Sequence, residues 1–298
     1  KLIIIPDGAL SYLPFEALLC EQPADVQKFK QHHYLLRDYQ ISYGYSATQL
    51  VDLQSAPAIQ SPKTLLGIAP DFKDNPYGLR PLQHNRTEAR EVCKLLGGDL
   101  LDREQATVAA FLKAAGDYRI LLLSTHGQAS SAAGDFSYLA FAPSLDTQSS
   151  STFLYVRDLY LQRLPAELVV LSACETSVGE NRLGEGVISL AKGFFHAGAR
   201  SIVATLWSVD DAKNAKLIRL FFQNIRSGMS KDAALRQAKL RFLEELPHDE
   251  AHPVFWAAAV ANGDMAAMAF SGSMVWWMVA GVVLVLAACF FWKKIPSW

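Results

Sequence analysis

The sequence predicts an α/β fold in which a mostly parallel sheet is covered by helices on both faces. Two short, strongly apolar runs carry that reading, residues 119–124 (Arg-Ile-Leu-Leu-Leu-Ser) and 168–171 (Leu-Val-Val-Leu). Each ends in small residues and an abrupt change of polarity. Near-continuous apolar strands are those buried on both faces, as parallel sheets require. The third observation is that such runs alternate with helical patterns along most of the chain, with no repeat period. The 298 residues suffice for a sizeable core.

Taken in order, residues 2–5 form a first strand, and Pro6-Asp7-Gly8 turns the chain into a second short strand within 9–19. Residues 22–33 are a polar surface excursion. A strand follows at 40–45, and Ser46 is placed to cap a short helix running through Leu53. Residues 55–63, with Pro57 and Pro62, form a loop before the buried strand 64–69. In 86–96 the positions Ala89, Val92, Cys93 and Leu96 recur at helical spacing, and Gly97-Gly98 stops the helix. A brief strand at 99–101, a helix at 106–115 and the strand 119–124 come next. Residues 130–134 are small, 138–142 read as a strand, and 156–164 as a helix feeding the 168–171 strand. An apolar helix at 183–197 ends at Gly198, a strand occupies 201–207, and amphipathic helices cover 210–225 and 231–246.

Formal net charge is -1 and no basic run of five occurs, so a nucleic-acid partner is not expected. Cys20, Cys93, Cys174 and Cys289 are widely spaced, which argues against a zinc ribbon or a disulfide framework. The chain opens on Lys1, directly before a strand, so an upstream segment is expected. Residues 274–292 differ in kind: they carry no charge and are rich in Val, Ala and Leu. That stretch is long enough for a single transmembrane helix. Trp276-Trp277 and Trp292 sit at its ends like interfacial belts, and Lys293-Lys294 anchor the far side. The expected organisation is a domain over 1–264, a linker at 265–273, the membrane helix at 274–292 and a short basic tail at 293–298.

His126 and Cys174 both stand just beyond the carboxyl ends of apolar strands, where open α/β sheets build their sites. A cysteine peptidase needs that pair: the imidazole takes the thiol proton, and the thiolate attacks a peptide carbonyl. The backbone amides of Gly127 and Cys174 are the candidate oxyanion donors. No third catalytic carboxylate is identifiable, and a backbone carbonyl could orient His126. Asp210 and Asp211 follow the 201–207 strand on the same edge. Each fits either a helix cap or a carboxylate pocket for a Lys or Arg before the cut. Asp135, in the loop after His126, is a further pocket candidate. His248-Asp249-Glu250-Ala251-His252 has its glutamate one place too late for a zinc-peptidase helix, and Pro247 and Pro253 bracket it. No metal site or other cofactor is expected.

Several motifs carry a family resemblance. Ser124-Thr125-His126-Gly127, Leu171-Ser172-Ala173-Cys174-Glu175-Thr176, Gly184-Glu185-Gly186 and the run Ala204-Thr205-Leu206-Trp207-Ser208-Val209-Asp210-Asp211 resemble the CHAT domain. So do Ile5-Pro6-Asp7-Gly8, Leu13-Pro14-Phe15-Glu16-Ala17-Leu18, Pro253-Val254-Phe255-Trp256-Ala257-Ala258 and Gly263-Asp264. CHAT is a bacterial relative of caspases, separases and gingipains, and the resemblance spans about residues 1–264. It implies a caspase-like three-layer α/β/α sandwich, His126 and Cys174 as a dyad, and upstream tetratricopeptide repeats. The resulting expectation is a membrane-tethered cysteine endopeptidase acting on a protein or peptide partner. The alternative is a catalytically silent caspase-like interaction module in a membrane-anchored signalling protein. The two lysines after residue 292 favour a cytoplasmic C-terminus, whereas the resemblance implies a cytoplasmic domain on a tail anchor. The second placement, at a bacterial inner membrane, is the expectation.

Overall fold

In chain order the elements are β1 (Leu2–Ile4), α1 (Leu35–Asp38), β2 (Ile41–Tyr43), α2 (Ala47–Ser55), β3 (Lys63–Ala69), α3 (Asn85–Leu96), β4 (Asp99–Asp102), α4 (Val108–Ala114), β5 (Tyr118–Leu123), β6 (Gly127–Gln128), β7 (Tyr138–Ala140), β8 (Phe153–Tyr155), α5 (Val156–Leu159), β9 (Leu168–Leu171), α6 (Glu185–His196), β10 (Ser201–Thr205), α7 (Asp211–Arg226), α8 (Lys231–Glu245) and β11 (Ala259–Gly263). This computed structural model describes residues 1–73, 77–128, 134–143, 151–172, 185–247 and 250–270, with side chains at all of these except 185–188.

The main sheet has the order β1-β2-β11-β10-β9-β5-β3-β4. Every neighbouring pair is parallel except β10–β11, which is antiparallel from Ser201↔Gly263 to Thr205↔Ala259. The strand period of two then sorts the core. Leu65, Ile120, Leu122, Leu168, Val170 and Val203 pack on one face with side chains of α3, α7 and α8. Leu66, Ile68, Leu121, Leu123, Val169, Leu171 and Ile202 pack on the other with those of α4, α5 and α6. The architecture is therefore a three-layer α/β/α sandwich with a mostly parallel sheet, as the sequence predicts.

Helix ends follow their sequence signals. Ser46 Oγ accepts from Gln49 N at 3.0 Å and starts α2. Gly97, at φ 71°, closes α3 in the left-handed conformation that glycine adopts without strain. Three local readings are corrected. The second strand expected within 9–19 is instead two 3-10 turns, Gly8–Tyr12 and Phe15–Ala17. Asp7 caps the first, and Pro14, which has no N–H for a ladder, separates them. The helix expected at 156–164 is confined to Val156–Leu159, and the preceding residues form β8, part of a small β6-β7-β8 sheet. The sequence reading also missed β11. Its Ala-Val-Ala-Asn-Gly has little intrinsic strand preference, but it pairs along its whole length with β10 and is buried at every residue except the half-buried Asn262.

One buried ion pair ties the start of the chain to α8. Lys239 Nζ lies 2.9 Å from Glu16 Oε1, and both side chains are almost fully buried. The Tyr43 hydroxyl donates to the other Glu16 oxygen. Residues 264–270 form a strap along the amino ends of β5, β9 and β10. Gly263, at φ 95°, turns the chain where an added Cβ would collide with Arg200 O. Asp264 N then donates to Arg200 O at 2.9 Å, and Lys231 Nζ donates to Asp264 O and Ala266 O, each at 3.0 Å. Arg119 forms a two-pronged pair with Glu167 and donates to Ala269 O at 2.7 Å. No helix among the described residues is long and apolar enough to cross a membrane. The predicted span, 274–292, lies outside the described residues.

Candidate active site

The two strands singled out in the sequence are immediate neighbours. β5 and β9 pair in parallel, with Leu122 opposite Val170 and Leu123 opposite Leu171. His126 stands three residues past Leu123 in the chain, and Cys174 stands three past Leu171. The described chain stops at Ser172, so the position of Cys174 and of its amide lies outside it.

His126 is 2% exposed. Its ring lies against Phe72, centroids 4.7 Å apart, and its Nε2 is 2.6 Å from the carbonyl oxygen of Arg80. A carbonyl only accepts, so this contact assigns the proton to Nε2 and leaves the lone pair of the neutral ring on Nδ1. The expected backbone carbonyl is thus present, in the loop after β3. Gly127 follows in β6. Ala140 N donates to His126 O at 2.9 Å, which makes Gly127 and Leu139 a non-hydrogen-bonded antiparallel pair. The Gly127 N–H is therefore directed to the side of β6 away from β7.

The pocket candidates are placed as follows. Asp210 is the N-cap of α7, its Oδ1 accepting from Lys213 N at 3.0 Å, so the capping alternative describes one of its oxygens. Asp211 Oδ2 accepts from His84 N at 2.7 Å and bridges α7 to the approach to α3. Asp135 is exposed, with Oδ1 accepting from the Tyr160 hydroxyl at 3.0 Å. The two aspartates of α7 sit at the carboxyl end of β10, on the edge that carries His126. Asp135 belongs to the β6–β7 connection.

Sequence reasoning missed a buried polar network beneath this edge. Glu88 of α3 is 3% exposed. Its Oε1 accepts from Ser124 Oγ at 2.6 Å, and its Oε2 accepts from Ser172 Oγ at 2.7 Å. Asn214 of α7 donates to the Ser172 carbonyl and, at 3.1 Å, to its hydroxyl. Asn85 donates to Pro70 O at 3.0 Å and Ser124 O at 3.2 Å. Burial pushes the Glu88 carboxyl up to about 7; the serine hydroxyls pull it down, and Asp211 adds to the rise. A sequence signal existed: Asn85 and Glu88 share helical spacing with Val92 and Leu96, and Asn214 shares it with Leu217 and Phe221, so polar residues occupy positions that should be apolar.

Among the described residues, Cys20, His33 and Asp38 bring three possible metal-ligand atoms within 4.8 Å of one another. His33 Nε2 already bonds Asp38 at 2.9 Å. None of the three belongs to the strands that carry the site.

Among curated proteins, tetratricopeptide repeat protein 28 of Homo sapiens is 30% identical over 112 residues, which is 37% of this chain and 4% of that protein. Its Mus musculus counterpart is 29% identical over 112 residues, again 37% and 4% of the two lengths. The chain thus spans only a small fraction of the length of these relatives. Among solved structures, the Saccharomyces cerevisiae separase–securin complex superposes with a TM-score of 0.48 and 14% identity, covering 78% of this chain and 14% of the other. The Arg-specific cysteine proteinase gingipain R superposes with a TM-score of 0.49 and 10% identity, covering 76% and 55%. The CHAT domain family matches residues 1–264, a span that contains every described strand. With that match over most of its length, this chain belongs to the CHAT domain family.

Proposed function

We propose that the chain is a cysteine endopeptidase in which His126 and Cys174 act as a dyad. The observation that carries this reading is the in-register pairing of β5 with β9, each followed three residues later by one member of the pair. His126 Nδ1 takes the Cys174 thiol proton, and the thiolate attacks the peptide carbonyl carbon. The oxyanion that forms accepts from the Gly127 and Cys174 amides. On collapse, the leaving amine takes the proton from the imidazolium. Water then cleaves the thioester, releasing the acid and restoring the thiol. Asp210, with Asp211 next to it in sequence, would supply carboxylate for a basic side chain before the cut, and Asp135 of the β6–β7 connection is a further candidate.

Labelling by an electrophilic peptide probe tests the dyad. Wild type reacts at Cys174, and Cys174→Ala and His126→Ala lose the signal; equal labelling of all three sinks the peptidase reading. The match to tetratricopeptide repeat protein 28 favours a second reading, a silent partner-binding module in a chain with upstream repeats, and equal labelling would support it. We further propose that residues 274–292 tether the domain to a membrane as a single pass, with the domain on the cytoplasmic side. Protease digestion of intact cells and opened vesicles reads this: protection only in intact cells is expected, and cleavage of the domain from outside refutes it.

A further inference from the structure

We infer that Glu88 is a positioning residue that holds the carboxyl ends of β5 and β9 at the separation the dyad requires. This rests on the peptidase reading of the same edge. Ser124 and Ser172 are the first residues past the register pair Leu123↔Leu171, and each lies two residues before its dyad member. By strand parity both face the α3 side of the sheet, as Leu122 and Val170 do. A single carboxyl side chain meets both hydroxyls, one at each oxygen, so it spans the two strands like a staple.

The rest of the network points the same way. Asn214 donates to the Ser172 hydroxyl, which donates on to Glu88, so α7 is joined to the staple by a directed chain of hydrogen bonds. Asn85 holds the Ser124 carbonyl together with Pro70 O at the end of β3. Four elements, α3, α7, β3 and β5, therefore converge with β9 just below the site. A buried carboxyl group is an expensive way to fill space, since an apolar side chain there carries no desolvation penalty. Its return here is geometry: two strand ends fixed where the following loops must bring a thiol to an imidazole within hydrogen-bond reach.

The test needs no natural substrate. Alkylation of Cys174 by iodoacetamide, followed by mass spectrometry of its peptide across pH, reports the fraction of thiolate. A thiol beside an imidazolium ionises well below the ordinary value of about 8.5. Rates are taken relative to each protein's high-pH plateau. At pH 6.5 wild type is expected to react at least ~10-fold faster than His126→Ala. Glu88→Leu, which removes the staple, should fall roughly fivefold or more below wild type, while Glu88→Gln, which can still bond both serines, stays near it. Ser172→Ala, which cuts one leg, should lie with Glu88→Leu and serves if that variant does not fold. A purely structural role would change melting temperature without moving the profile. If Glu88→Leu and Ser172→Ala follow wild type while His126→Ala departs from it, the positioning role is overturned and the dyad stands. If wild type and His126→Ala coincide, the dyad fails and the positioning role fails with it.

Discussion

The buried carboxyl of Glu88 makes the stability of this domain depend on pH in a direction opposite to that of most acidic residues. In an unfolded chain the group ionises near 4.5, whereas in the fold burial keeps it protonated up to about 7. The folded state therefore holds the extra proton between those values. The stabilisation is fully present below about pH 4.5 and is lost as pH rises through about 7. At about 1.4 kcal/mol per pH unit, the difference of the two values corresponds to a loss of ~3 kcal/mol, a large share of a typical domain's net stability. Glu88→Gln removes the proton equilibrium but keeps hydrogen-bonding groups for Ser124 and Ser172. Urea unfolding at pH 4.5 and pH 8 gives the comparison, with the slope m monitored to check that both proteins unfold in the same way. Other titrating groups change the absolute values but cancel between wild type and variant. The stability of Glu88→Gln relative to wild type should rise by ~3 kcal/mol between the two pH values. An equal pH dependence for the two proteins would refute the claim that Glu88 is buried and protonated as described.

Two further substitutions probe other parts of the structure. Lys239→Met strands Glu16 and Tyr43 without their cation and should cost ~3–5 kcal/mol in urea unfolding; adding Glu16→Gln should recover part of it, and a cost below ~1 kcal/mol would contradict the buried pair. Asp210→Ala should destabilise by ~1 kcal/mol through the lost cap of α7 and weaken cleavage after basic residues, whereas Asp210→Asn should keep the cap and still lose the preference. An unchanged preference across a peptide library in both variants would remove the pocket role.

The large architecture was legible because its signals are local. The apolar runs of β5 and β9, the Ser46 cap and the Gly97 stop each announce themselves within a few residues. What the sequence hid is long-range or context-dependent. β11 owes its strand conformation to a ladder with β10, and its alanines signal nothing by themselves. Arg80 meets His126 through its backbone carbonyl, which any residue type would offer. Glu88 was visible as a misplaced charge on the apolar stripe of α3, but its partners come from two different strands. The reading of His126 depended on its place at a strand end, and the structure adds which ring nitrogen holds the proton.

The strap of residues 264–270 has a consequence for how this domain can be held. It fastens the outgoing chain to Arg119, Lys231 and Arg200, all at the amino ends of the parallel strands. His126 lies beyond the carboxyl end of β5, whose six residues put ~20 Å between the two edges at about 3.3 Å per residue. A bead, a fusion partner or a bilayer joined beyond Phe270 thus pulls on the floor of the molecule. The edge that carries His126 is left facing away from such an attachment, and force applied through it loads the strap before it reaches that edge.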